Sequence, residues 1–440
     1  MTLDEPSLAL NESTPPVPDT LADTGLSADV VRDLILKLFY AQGARTGSYL
    51  SEFLRLPFAL IDEELLTLQQ RRFVEVRGTT GPNRVSCMFD LAGAGRERAK
   101  EALEASQYVG PAPVPLAQYR KWIVAQSIQN AHITQETLRA GFSHLVLNDS
   151  LVDSLGPAVN SSKSLFLYGH PGNGKTAIAE AISRMLGGTL YLPYAVDIDG
   201  QIMTVYDPVH HEPVESESDA VERDALWLRT GPGHDRRYAR VKRPVVLTGG
   251  ELTLDQLDLR YDHFTKLYQA PFQVKANGGV LIVDDFGRQR VPPRDLLNRW
   301  IVPLEKRIDY LTLHTGGKFP VPFDCLIIFA TNLDPTELVE EAFLRRIHYK
   351  IPVVDPSRSQ YEEIFRRCCN SAGLGYAADA VDHVFQHFYG KRGIRPRGCH
   401  PRDLLAHVVD IAKYREMAPE LTTDLMDEAC QSYFLQEGAA

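Results

Sequence analysis

The chain has 440 residues, of which 44% are hydrophobic and 24% charged, and a formal net charge of −10. That balance fits a globular protein of more than one domain, and the acidity argues against a protein that coats nucleic acid over its whole surface. The six cysteines, Cys87, Cys325, Cys368, Cys369, Cys399 and Cys430, form no CxxC pair, so free thiols in a reducing compartment are expected rather than a disulfide framework or a zinc site. No apolar run approaches the roughly 18 residues of a membrane span, and no export signal opens the chain; a cytoplasmic address is the expectation.

Residues 1–25 are acidic, rich in Pro, Ser and Thr, and without Lys or Arg, the composition of a disordered tail. Residues 26–107 then read as three helices, a pair of strands around "GTTGPN" and a closing helix, "AGRERAKEALEAS". Val30, Val31, Leu34, Ile35, Leu38 and Phe39 carry the helical spacing of the first. This is the order of a winged helix-turn-helix. Its third helix begins "LPFALIDEE", and Asp62, Glu63 and Glu64 would face DNA phosphates unfavourably, so protein recognition or a structural role is favoured over DNA. Residues 108–130 contain "YVGPAPVPLAQY" and read as a proline-rich linker.

From residue 131 to 355 strands and helices alternate, as in an α/β domain with a mostly parallel sheet. "SLFLY" runs into Gly169-x4-Gly174-Lys175-Thr176, followed by the helical "AIAEAISRML". This is the phosphate-loop pattern in the context it demands. The glycines let the backbone of Gly169, His170, Pro171, Gly172, Asn173, Gly174, Lys175, Thr176 and Ala177 wrap phosphates at a helix N-terminus, with N–H groups from all but the proline. Lys175 would reach the β- and γ-phosphates and Thr176 would ligate Mg²⁺. "GGVLIVDDFGR" supplies the acidic partner: Val280–Val283 is a buried strand, Asp284 at its end is assigned to Mg²⁺, and Asp285 is the candidate base that orients the attacking water.

With these motifs in order, the chain resembles the AAA+ ATPase superfamily, in a bacterial, cytoplasmic form with a winged-helix-like domain in front. The resemblance spans about residues 131–433 and rests on three further stretches. "CLIIFATNLDP" resembles the sensor-1 strand and implies that Asn332 holds the water near the γ-phosphate. "EEAFLRRIHYKI" resembles the arginine-finger segment, with Arg346 first choice and Arg345 second, acting on a neighbouring subunit. "GCHPRDLLAHVVDIA" resembles sensor 2, with Arg402 at the start of a lid helix in a helical lid spanning 356–440. The resemblance implies ATP and Mg²⁺ as ligands, ATP hydrolysis, and a homo-oligomeric ring, most simply a hexamer, that remodels a protein substrate or complex. A DNA-linked initiator, loader or regulator, and a poorly hydrolysing assembly switch, are the alternatives.

Two departures bear on those expectations. Most of the family carries Glu where this chain has Asp285, one methylene shorter, which predicts slow or assembly-dependent hydrolysis. About 90 residues separate the helix after Lys175 from Val280, which implies a β-rich insertion at about 200–257. Within it, Met203 and Tyr206 are candidates for a pore-facing loop. His210 and His211 read as part of a surface hairpin rather than a metal site, and "HDRRYARVKR" is a basic cluster that is a solvated face or meets nucleic acid or an acidic neighbour.

Overall fold

The computed structural model describes residues 14–214, 233–338 and 344–434. After a one-turn helix, Leu21–Thr24, come α1 (Ala28–Gln42), β1 (Arg45–Thr46), α2 (Gly47–Leu54), α3 (Phe58–Gln70), β2 (Val74–Thr79), β3 (Cys87–Leu91) and α4 (Gly93–Ala105). Ser27 and Thr46 cap α1 and α2, each accepting a backbone N–H with its side chain. The strands form an antiparallel sheet in the order β1-β3-β2. Leu34, Ile35, Leu38, Leu50, Ile61, Leu65 and Phe89 are among the residues in the core beneath it.

The next segment is no flexible spacer. β4 (Val114–Pro115) pairs in parallel with β7 (Ala195–Ile198), and α5 (Leu116–Ala125) buries Tyr119 and Ile123. Then follow α6 (Gln135–Gly141), α7 (Asp149–Asn160), β5 (Leu165–Tyr168) and α8 (Lys175–Met185). β6 (Thr189–Pro193), β8 (Gln201–Thr204), β9 (Tyr238–Lys242), β10 (Val245–Thr248), β11 (Arg260–Asp262), β12 (Leu267–Gln269) and β13 (Val280–Val283) come next. The core closes with the short helices α9 (Pro293–Arg299) and α10 (Ile301–Lys306), then β14 (Ile308–Thr312), β15 (Lys318–Pro322), β16 (Leu326–Thr331) and β17 (Tyr349–Pro352).

The central sheet is wholly parallel, in the order β10-β13-β16-β5-β17. Its three middle strands are buried almost throughout, which is why they read as unbroken apolar runs. Beyond it stands a bundle of α11 (Arg358–Ala372), α12 (Ala378–Val384), α13 (His400–Tyr414) and α14 (Thr423–Tyr433), with its own core around Tyr361, Phe365, Leu404 and Met426. No helix among the described residues is long and apolar enough to cross a membrane.

Several expectations change. Residues 1–13 of the acidic tail lie outside the described residues, but 14–25 are packed. Pro15, Pro18 and Thr24 are buried, and the Asp235 N–H donates to the Pro15 carbonyl at 2.8 Å. The insertion expected at 200–257 is drawn differently: Val245–Thr248 is an edge strand of the central sheet. The inserted strands instead build a mixed sheet, β11-β12-β8-β7-β4, and a β6-β9 pair; residues 215–232 lie outside the described residues. Met203 is fully buried and Tyr206 packs on Tyr194 and His211, so neither belongs to a pore-facing loop; both lie on the inward face of this sheet's core. His211 is buried and bonded to backbone on both ring nitrogens.

The basic cluster is partly internal. Arg237, 1% exposed, forks onto Asp235 and donates to the carbonyls of Thr24 and Pro113. Arg243 donates to the carbonyl of Gly278. Counting charges along the chain could not separate these two from solvated neighbours, since burial is a tertiary property.

Candidate nucleotide site

β5 ends at Tyr168 and the chain turns through Gly169–Gly174 into α8. Gly174 sits at φ +83°, and a Cβ at Gly169 (φ +141°) would lie 2.2 Å from the carbonyl oxygen of Val353. Only glycine fits either place. The first N–H groups of α8 have no partner within the helix and face the turn, as an anion requires.

Three strand ends meet there. Thr176 Oγ1 donates to Asp284 Oδ2 at 2.8 Å. Asp284 Oδ1 accepts the N–H of Asp285 at 2.9 Å. Lys175 Nζ donates to the carbonyls of Gly169 and His170, both at 2.9 Å, and to Asn332 Oδ1 at 2.6 Å. Asn332 Nδ2 in turn donates to Asp285 Oδ1 at 3.1 Å. Lys175 is 6% exposed; burial lowers its pKa, while Asp284 and Asp285 act to raise it and Arg397 to lower it further. Asp285 is left-handed, φ +48°, a conformation that costs an L-residue about 1 kcal/mol. The turn is held by Thr331 Oγ1 on the Phe286 carbonyl (2.6 Å) and by Gln289, whose amide spans Asp284 O and Gly287 N.

A phosphate loop thus ends one strand and an acidic pair a second. An asparagine ends the strand between them, and a helical bundle stands over all three. The core has a phosphate-loop α/β fold on five parallel strands.

Among solved structures, the chain is similar to RuvB of Thermotoga maritima, a Holliday junction branch migration motor. The two are 14% identical, with 69% of this chain and 72% of that one covered and a TM-score of 0.36. It is also similar to NtrX of Brucella abortus crystallised with ADP, at 14% identity, 79% and 69% coverage and a TM-score of 0.40. At these values the likeness assigns no residue and no activity. Residues 357–432 match a domain of unknown function, DUF8689. No curated protein matches the chain.

The α/β core and the bundle enclose a cleft of 1210 Å³ lined by Pro171–Ala177, Asp284, Asp285, Asn332 and Arg402 among others. It is also lined by His144–Leu147, by Ile364, Arg367, Cys368 and Ser371 on α11, and by Leu405, Ala406, Val409 and Asp410 on α13. Sequence reasoning missed these, although positions 402, 405, 406, 409 and 410 share one helical face with the arginine it did single out. Arg367 also donates to the Ser143 carbonyl at 2.8 Å, which ties α11 to the loop holding His144–Leu147.

Arg402 lines the cleft, but its guanidinium lies on Asp403 at 2.9 Å and its side chain is 76% exposed. Arg345 and Arg346 do not line the cleft. The carbonyl of Arg346 accepts Ser164 Oγ at 3.2 Å, at the start of β5 and so at the opposite end of that strand from the phosphate loop; its guanidinium pairs with Glu305 at 2.6 Å. No cluster of three or more His, Cys, Asp or Glu able to hold a metal occurs among the described residues. A hydroxyl hydrogen-bonded to one carboxylate, Thr176 with Asp284, suits Mg²⁺ that arrives with a nucleotide and takes most of its oxygens from phosphates and water.

Proposed function

We propose that the chain is an ATPase that binds MgATP in the cleft between core and bundle and hydrolyses it as a subunit of a ring. Lys175 has three N–H groups and all three are engaged. Two acceptors are backbone; the third, Asn332, is a side chain that can turn. A γ-phosphate oxygen would replace Asn332 Oδ1, and the released amide would remain beside Asp285 to orient a water between them. Asp285 would accept that water's proton as it attacks phosphorus. Bound Mg²⁺ would offset charge on the β- and γ-oxygens, held by Thr176 Oγ1 directly and by Asp284 through water. The Lys175–Asn332–Asp285 chain beside the Thr176–Asp284 pair is the observation that carries this reading.

The position of Arg346 by the start of β5, the end of that strand remote from the phosphate loop, supports a finger supplied to a neighbour by Arg346 or Arg345, and with it an oligomer, most simply a hexamer. A protein partner, engaged through the winged-helix-like front domain, is preferred to DNA. Arg237 and Arg243 are turned inward, and Arg84 and Arg32 of the front domain are engaged by Asp62 and Glu64 of the same domain rather than left for phosphates. The test is phosphate release by purified protein across a concentration series, beside Lys175→Ala and Asp285→Asn. A specific rate that rises with concentration and vanishes in both variants supports the proposal. Wild type no faster than Asp285→Asn, with ADP still bound, replaces it with an ATP-dependent assembly switch. A salt-sensitive shift of a random DNA duplex would favour the DNA-linked alternative.

A further inference from the structure

Phosphates are held by the backbone of a phosphate loop and by its lysine, so the side chains of His170 and Asn173 have no part in that chemistry. Both are nevertheless tied down, and to the same carboxylate. Asp355 accepts from His170 Nδ1 at 3.0 and 3.1 Å and from Asn173 Nδ2 at 2.7 Å. Burial would raise the Asp355 carboxyl, but these bonds outweigh it and hold it below the usual carboxylate range. Asp355 stands two residues before Ser357, the N-cap of α11, at the joint between core and bundle.

The second attachment of the bundle reaches the same loop. Arg395 Nη1 donates to His170 Nε2 at 3.2 Å, which makes Nε2 the acceptor and places the ring proton on Nδ1, toward Asp355. Arg397 Nη1 donates to the Pro171 carbonyl at 3.1 Å, and the Gly398 N–H to Asn173 Oδ1 at 3.1 Å. A Cβ on Gly172 would lie 2.4 Å from Cys399 Sγ. Four consecutive loop residues, 170–173, thus each touch Asp355 or the segment 395–399 that leads into α13. This segment is itself anchored from below: His400 Nδ1 accepts the Arg397 N–H and the Tyr389 hydroxyl.

We infer that Asp355 is a positioning residue: it latches the outer side of the phosphate loop to the joint of the helical bundle, pre-shaping the loop for phosphate and passing the loop's nucleotide state to the bundle. Its effect on nucleotide rests on the ATP-binding reading above; the latch itself does not. A loop whose outer face is fixed need not be ordered by the ligand, so phosphate binds more tightly. The same contacts make any shift of His170 and Asn173 on phosphate binding a shift of the bundle.

Two measurements separate the latch from the reading on which it rests. The first is amide hydrogen exchange of nucleotide-free protein in wild type, Asp355→Asn, Asp355→Ala and His170→Ala. Faster exchange confined to 169–174 and 395–399, with the rest of the central sheet unchanged, is expected; unchanged exchange in both segments overturns the latch. The second is the ADP dissociation constant of the same proteins and of the His170→Ala/Asp355→Ala pair. Asp355→Ala is expected to weaken ADP about 10- to 100-fold, and the double variant to lose less than the product of the two single losses, because both remove the His170–Asp355 bond. Losses that multiply, or an ADP affinity equal to wild type, overturn the proposed coupling. Adenosine, which lacks phosphates, is the control: an equal loss for adenosine means general damage and also refutes it. If wild type binds no ADP, the ATPase reading fails, and the exchange data still decide whether the latch exists.

Discussion

An arginine finger at Arg346 makes a demand that can be met only between subunits. Its carbonyl is bonded to Ser164, and the phosphate loop begins five residues later along an extended strand. At about 3.3 Å per residue the separation is about 16 Å, further than an arginine side chain extends. Arg346→Ala is therefore expected to lower the turnover of the assembled protein about 10³-fold or more while leaving ADP affinity unchanged. Lys175→Ala is expected to lose nucleotide binding. Mixed in equal amounts, two inactive proteins should recover activity, because an Arg346→Ala subunit keeps an intact site and a Lys175→Ala subunit keeps an intact finger. Half the subunits carry an intact site and half of those meet an intact finger, so random assembly in a ring of heterologous contacts predicts about a quarter of the wild-type rate. The assay is phosphate release across mixing ratios after subunit exchange. A rate that never exceeds the sum of the two parents, in a mixture shown to co-assemble, refutes the finger. Recovery with Arg345→Ala in place of Arg346→Ala moves the role one residue.

Other substitutions test the remaining links. Asn332→Ala should lower kcat about 10²- to 10³-fold with ADP affinity within a few-fold of wild type, measured by steady-state kinetics and titration calorimetry. A large loss of ADP affinity instead would mean that Asn332 serves binding rather than water. Burial, with the charge of Arg397 adding to it, pulls the pKa of His400 down to about 4. The neutral ring is thus the folded form. Its contribution is complete above the unfolded value of about 6.5 and is lost as pH falls through about 4, at most about 3 kcal/mol. Urea midpoints between pH 7 and pH 4 should fall more steeply in wild type than in His400→Gln; parallel slopes would exclude His400 as the cause. Arg237→Ala leaves the Asp235 carboxylate buried beside a lost partner, which should cost about 3–5 kcal/mol. The double variant Asp235→Ala/Arg237→Ala should recover part of that loss in thermal melting, and an equal or larger loss would sink the assignment.

The chemistry-bearing part of the site was legible because it is local. Gly169–Thr176 needs its glycines within one turn, and Asp284 and Asn332 each follow an apolar run that can only be a buried strand. The face that α13 turns to the cleft was legible in principle through the helical period running on from Arg402, which extends to Asp410. Asp355 was not. It follows β17 in an ordinary "VVDPS" and gains its role only when two loop side chains, nearly two hundred residues earlier, fold onto it. The limits of the insertion failed for a related reason: Val245–Thr248 looks like its neighbour β9, and only pairing with β13 tells a core strand from an inserted one.

The way the pieces are joined bears on where ATP would do work. The inserted strands, α5 and the β14–β15 hairpin share one apolar core, and Ala195, Ile202 and Leu267 of the insertion enter the core of the front domain. Arg237 ties residues 24 and 113 to the same mass. Near its seam with the central sheet, Asp324 takes the N–H of Ile128 and the Ser127 hydroxyl while pairing with Arg307. Dry cores of this kind are bistable at best and resist gradual deformation. The helical bundle is joined to the nucleotide loop otherwise, by single polar bonds from Asp355, Arg395, Arg397 and Gly398 across an open cleft. Such bonds break and re-form one at a time, without opening a packed core. Nucleotide-dependent motion is therefore expected between the central sheet and the bundle, with the front domain and insertion carried as one body on the sheet.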